Sequence, residues 1–233
     1  VNAADPRVDC LPFVAVTLWL LGYPDQALKR SHETLALAEG LSHPFSLAYA
    51  LGHAARFHLY RREEQIARER AEAVMTLSTE QGFPFWLMTG RLVRGWALAD
   101  QGQIEQIRQG IRACQEKGAR VGLSHQLVML ADAYRRVQQP GEGLKAIAEA
   151  FAHLHQTGER HQEAELYRLK GELTLQQLSV ASCQLSVSES RVGIAHQNVS
   201  IAEAGTVGGA HPTMEAEAEG YFLKAVEIAR RQQ

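Results

Sequence analysis

Leu21-Gly22-Tyr23-Pro24-Asp25 interrupts an apolar helical run, and breaks of the same kind return at Tyr60-Arg61-Arg62-Glu63, Asp100-Gln101-Gly102-Gln103 and Gln138-Gln139-Pro140-Gly141. A second series falls at Gly40, Gly82, Gly118 and Gly158, each behind an amphipathic run. A residue just past a helix C-terminus often takes the left-handed conformation, which glycine enters most cheaply, so these glycines mark helix stops. Pro44 and Pro84 follow two of them. Proline is tolerated in a first helical turn, where its missing N–H is not needed, so a new helix starts at each.

Between the breaks the apolar period is helical. Leu144, Ile147, Ala148, Phe151 and Leu154 form one stripe, and Leu166, Leu169 and Leu173 another. The pattern predicts helices at 8–21, 24–39, 44–60, 63–81, 84–100, 103–117, 121–137, 141–157 and 160–177. They alternate as first (A) and second (B) members of hairpins near 8–39, 44–81, 84–117 and 121–157, with 160–177 as helix A of a fifth. The expectation is an all-α array of about five antiparallel helix hairpins with a period of about 40 residues, in place of an irregular bundle.

Registering the A helices aligns small residues: Ala15, Ala55, Gly95, Ala131 or Ala133, and Gly171, spaced 40, 40, about 37 and about 39 apart. Antiparallel helices joined by short turns approach closely only where side chains are small. The facing positions early in the B helices read as Ala27, Ala67, Ile107 and Leu144.

From 178 to 212 the helical period fails, with six serines and with Gly193, Gly205, Gly208 and Gly209. The stretch 178–213 therefore reads as a flexible Ser/Gly-containing insertion inside the fifth hairpin, with a short β-hairpin over 184–202 as the less favoured form. Thr213 is the expected N-cap of a closing helix at 214–233, the missing helix B. Glu215, Glu217 and Glu219 lie near its positive end and Arg230 and Arg231 near its negative end.

Composition narrows the partners. A formal net charge of -2 supplies no basic stripe for nucleic acid or anionic lipid, so neither is an expected partner. The cysteines, Cys10, Cys114 and Cys183, are too scattered for a disulfide framework or a CxxC site, which fits a reducing cytoplasm. The apolar run 13–21 is far short of the roughly 20 residues of a membrane span, and no signal-peptide pattern surrounds it. A chain opening on Val1 and stopping at Gln233 reads as a segment of a longer protein.

Several phrases carry a resemblance. They are Leu20-Leu21-Gly22-Tyr23-Pro24-Asp25-Gln26-Ala27-Leu28, His43-Pro44-Phe45-Ser46-Leu47-Ala48-Tyr49-Ala50, Arg94-Gly95-Trp96-Ala97-Leu98-Ala99, Thr157-Gly158-Glu159-Arg160 and Ala164-Glu165-Leu166-Tyr167-Arg168-Leu169-Lys170-Gly171-Glu172-Leu173. Over most of 1–177, and again at 214–233, the chain resembles the tetratricopeptide-like C-terminal arm of large bacterial signalling proteins that join a class III adenylate/guanylate cyclase to an AAA-type ATPase. It also resembles sensor arms of related ATPases and transcription activators. The resemblance implies a cytoplasmic tetratricopeptide-like superhelix that regulates the domains before it, with all chemistry upstream. Residues 102–112 are a few short of that arm's usual length, and 178–212 is longer.

No catalytic constellation emerges. There is no GxxxxGK[ST] loop, and in His32-Glu33-Thr34-Leu35-Ala36 an alanine stands where a zincin's second histidine belongs. His53 and His58, five apart, point to different sides of a helix, and His153 and His155, two apart, are no better placed, so both pairs read as surface or interface residues rather than metal ligands. Cys114 reads as a small buried hydrophobe. Trp19, Trp86 and Trp96 with Phe45, Phe83 and Phe85 read as packing before they read as a ligand-stacking set. No enzyme activity, cofactor or metal is expected.

In tetratricopeptide arrays the A helices line the concave face. Tyr49, Arg56, Gln126, Arg136, Glu165 and Arg168 are the candidate partner contacts there, each with a solvated helix face as its plain alternative. The expected function is a non-catalytic sensor or interaction arm that binds a protein or peptide segment, or other domains of the same parent chain. The alternatives are a free-standing adaptor or the sensor arm of an ATPase-type transcription activator.

Overall fold

A computed structural model describes residues 3–116, 122–195 and 211–232 of the 233-residue chain. Gly118 and residues 196–210 lie outside the described residues, and so do the side chains of Cys114 and Cys183. The helices are α1 (Pro6–Leu20), α2 (Pro24–Gly40), α3 (Pro44–Tyr60), α4 (Glu64–Gln81), α5 (Pro84–Ala97), α6 (Ile104–Glu116), α7 (Leu123–Arg136), α8 (Pro140–Thr157), α9 (Glu163–Ala195) and α10 (His211–Gln232). A 3₁₀ turn, Ala99–Gln101, follows α5, and no strand occurs among the described residues.

The A helices start at residues 6, 44, 84, 123 and 163, so the unit recurs every 38 to 40 residues. Two compact units divide the chain, Val1–Val121 and Gly122–Gln232. In the first, α1/α2, α3/α4 and α5/α6 are hairpins; α3 packs on both α1 and α5, while α2 packs on α3 and α4 on α5. In the second, α7/α8 and α9/α10 are hairpins, with α9 packed on both α7 and α8. Within each unit α2, α4 and α8 thus touch both their own A helix and the next one, the tetratricopeptide-like arrangement, and the described residues are all-α.

Local chemistry sets these boundaries. Pro6, Pro24, Pro44, Pro84 and Pro140 stand at helix starts, where a fixed φ near −65° is already helical. Four A-to-B turns share one device. Gly22, Arg62, Gly102 and Gln138 take positive φ, and the next residue's N–H reaches back five positions: Tyr23 to the Leu18 carbonyl (2.9 Å), Glu63 to His58 (3.0 Å), Gln103 to Leu98 (3.4 Å) and Gln139 to Tyr134 (2.9 Å). This is the Schellman closure. Gln138 sits in it at φ 59° with a Cβ that glycine would lack. Gln138→Gly is therefore expected to stabilise the second unit by about 0.5 kcal/mol, net of the entropy glycine adds to the unfolded chain, as read in urea denaturation.

The small-residue register holds, with one correction. Ala15 and Ala27, and Ala55 and Ala67, are all buried. A Cβ on Gly95 would stand 2.9 Å from Ile107 Cγ1, and one on Gly171 3.2 Å from the Ala218 carbonyl oxygen. In the fourth hairpin the facing residue is Gly143, not Leu144: a Cβ there would meet Leu173 Cδ2 at 2.7 Å and the Ala131 carbonyl oxygen at 3.4 Å. Pro140 belongs to α8 as its first residue, so the fourth position of that helix is Gly143, as Ala27 is the fourth of α2.

Other boundaries differ from expectation. Gly40 ends α2 as a helical residue, and Ser42 makes the left-handed turn at φ 51°. Helix α9 continues past 177 to Ala195, and the alternating pattern at 184–190 is carried within it. No proline lies between Pro140 and Pro212, and Gly193, the glycine within 178–195, costs a helix only about 1 kcal/mol. Helix α10 begins at His211, ahead of Thr213, because proline fits a first helical turn at position 212.

Candidate functional site

The A-helix layer of the first unit carries a groove of about 500 Å³. Phe45, Tyr49, Phe83, Phe85 and Trp86 line it, with Asp9 at one side. Pro44-Phe45 and Pro84-Phe85 sit one repeat apart at the first two positions of α3 and α5, so the repeat itself brings these rings to the same end of adjacent helices. Phe85 is 57% exposed, whereas Trp86 is 4% exposed. Trp86 can lie flat on α3 because position 52 is glycine: a Cβ there would come within 2.4 Å of the indole Cε3. Gly52→Ala is expected to displace Trp86 and destabilise the first unit by about 1–3 kcal/mol, with a changed tryptophan emission spectrum as the readout.

Tyr49 is buried rather than an exposed polar position. Its hydroxyl donates to the Asp9 backbone carbonyl at 3.0 Å, tying α3 to α1. Burial first, and hydrogen bonding with the Asp9 side chain second, hold the phenol well above its ordinary pKa, so it stays a donor. One turn along α3, His53 is enclosed by Phe13, Tyr49 and Trp86 at ring-centroid distances of 5.6, 4.5 and 5.5 Å. Burial, aided by the nearby Arg56 charge, pushes its pKa down to about 3.

That shift has a sign. A base whose folded pKa lies below its unfolded value of about 6.5 contributes its full stability above pH 6.5 and loses it as pH falls toward 3. Relative to a non-titrating His53→Phe variant, the natural chain is expected to lose about 2 kcal/mol between pH 7 and 4.5. Urea titrations at both pH values check this; a difference between the two chains that does not change with pH contradicts it.

His58, also buried, shares a 2.6 Å hydrogen bond with Glu63 Oε2 through Nδ1, and burial lowers its pKa against the pull of that carboxylate. His153 is buried, not at the surface, while His155 is exposed. Among the described residues no three His, Cys, Asp or Glu side chains are grouped to hold a metal ion. No helix there is long and apolar enough to cross a membrane.

The remaining candidate contacts divide by unit. Arg56, on α3, is half-buried, and its Nε has no hydrogen-bond partner. In the second unit Gln126, Arg136, Glu165 and Arg168 are all half-buried on α7 and α9. Arg168 is held by Glu165 (Nη2–Oε1 2.6 Å) and by Glu172. Burial opposes its charge, but the two carboxylates more than offset this and raise its pKa. Arg135 extends the ladder, 2.9 Å from Asp132 and 3.3 Å from Glu172, and Gln176 donates to the Arg135 carbonyl at 2.8 Å. Glu165 and Arg168 therefore belong to a lattice that includes the α7–α9 seam.

Of the aromatic set, Trp96 is core at 2% exposure, and Trp19 packs on Phe57 with Arg61 over its ring. Phe45, Phe83, Phe85 and Trp86 line the groove instead. Asp9, Phe13 and His53 were not singled out by sequence as contacts, because their neighbourhood is made by α1 meeting α3 and no short motif marks it.

No protein-family profile matches the chain, and no curated protein matches it. Among solved structures, it is similar to a Podosopora anserina kinesin-light-chain-type protein described as having nearly identical TPR-like repeats, at 15% identity and a TM-score of 0.48. That match covers 80% of this chain and 93% of the other. The all-α hairpin fold stated above rests on the helix pairing itself.

Proposed function

We propose that this chain is a non-catalytic interaction arm that binds a protein or peptide segment on its A-helix face. The observation that supports this best is the groove of about 500 Å³ walled by aromatic side chains, one of them, Phe85, largely open to solvent. Peptide-recognition grooves join apolar anchoring with a few placed polar groups, and aromatic anchors dominate their energetics. In the finer reading the arm regulates an ATPase and cyclase in the same polypeptide, with the A helices forming the concave face. The resemblance in sequence motivates that part.

The test has two stages. The reading frame around the gene is expected to encode an ATPase or cyclase domain before this segment, and removing the arm is expected to change that domain's turnover several-fold. A frame without either domain removes the signalling role and leaves an adaptor. Turnover unaffected by loss of the arm removes regulation.

A further inference from the structure

The groove in the first unit has a more particular character than an apolar slot. Its rings meet nearly edge to face: Phe45 and Phe83 at 82° and 5.1 Å, Tyr49 and Trp86 at 68° and 5.1 Å, Phe85 and Trp86 at 86° and 4.9 Å. The face of each ring carries the negative part of the aromatic quadrupole. The exposed Asp9 carboxylate also lines the groove; the Tyr49 hydroxyl is its neutral hydrogen-bonding neighbour, and no cation is ion-paired with it among the described residues. The nearby cation, Arg7, is committed to Asp5 through two hydrogen bonds of 3.0 Å. A carboxylate that no cation neutralises, set beside aromatic rings, favours a positive guest.

Further along α3 the sign reverses. Arg56 follows Tyr49 by seven residues, two helical turns or about 10 Å along the axis. Its Nε is buried without a hydrogen-bond partner. Ten ångströms is the reach of about three residues of extended chain.

We propose that the groove takes the lysine or arginine side chain of an extended peptide, and that an acidic residue three positions along the same peptide reaches Arg56. The volume exceeds what one side chain fills, which favours a peptide with flanking residues over a free cation. This deepens the interaction reading and rests on it.

The test titrates the full chain with a blocked octapeptide, Gly-Ser-Lys-Ala-Ala-Glu-Gly-Ser, and with two relatives, one carrying norleucine for lysine and one glutamine for glutamate. Binding is followed by the indole N–H resonance of Trp86. The lysine peptide is expected to bind about tenfold more tightly than the norleucine peptide, as befits a partly desolvated cation on aromatic faces. Asp9→Asn, at an exposed position that should leave folding intact, is expected to cut that preference to about threefold and weaken its salt dependence. Arg56→Gln is expected to abolish the difference between the glutamate and glutamine peptides. Equal binding of lysine and norleucine peptides, or a lysine preference untouched by Asp9→Asn, overturns the cation assignment; in either case the interaction reading survives. Absence of saturable binding by every peptide overturns the proposal.

Discussion

Leu173→Ala is expected to lower the unfolding free energy of the Gly122–Gln232 unit by about 2–5 kcal/mol, and Gly143→Ala in the same chain is expected to restore part of it. Leu173 is fully buried, and its two methyl groups occupy the space that a Cβ on Gly143 would enter, at 2.7 and 3.0 Å. Cutting the leucine back leaves a cavity whose walls belong to α8 and α9, held in place by the hairpin turns. Alone, Gly143→Ala should destabilise by about 1–3 kcal/mol through overpacking, since the Leu173 methyl at 2.7 Å must shift and that side chain is fully buried. Together the two changes should cost less than their sum, because the new methyl fills what the lost side chain vacated. Strict additivity in the four-chain cycle, measured by circular dichroism in urea, contradicts this packing.

Trp96→Ala carries the second large effect, about 3–5 kcal/mol in the first unit. Trp96 is among the largest fully buried side chains, one residue after Gly95, the small contact of the third hairpin. Phe and Tyr leave part of such a volume empty, so Trp96→Phe should fall between. All three tryptophans, at 19, 86 and 96, lie in the Val1–Val121 unit, so indole fluorescence follows that unit while far-ultraviolet circular dichroism follows both. The variant should shift the fluorescence transition to lower urea and leave the rest of the dichroism curve in place. A fluorescence midpoint unmoved by the loss of Trp96 contradicts its place in the core.

The hairpin architecture was legible because its determinants are local. Pro44 and Pro84 start helices, Gly82 and Gly158 end them in the left-handed conformation, and Ala15, Ala55 and Gly95 repeat at the spacing of the unit. Gly143 was harder to find: placing it needed the knowledge that Pro140 opens α8 instead of closing the turn before it. The 178–195 segment misled for a related reason, since serines lower helix propensity only slightly and no proline intervenes to stop α9.

The groove was legible only in part. Phe45 and Phe85 could be paired from the repeat, because each follows a helix-opening proline. Their role as walls depends on how α1, α3 and α5 approach one another, which no single helix encodes. Tyr49 was found but with the wrong exposure, because its hydroxyl is met by the Asp9 carbonyl forty residues earlier. Glu165 and Arg168 share a helix face at a spacing of three, the spacing at which opposite charges pair within one helix.

Amide hydrogen exchange of the full chain, with and without saturating lysine peptide, tests most directly the claim that the A-helix layer of the first unit is the recognition surface. Added protection is predicted in α1 around Asp9 and in the first halves of α3 and α5, with α2 and α4 unchanged. Protection confined to α2 and α4, or no change anywhere, contradicts it.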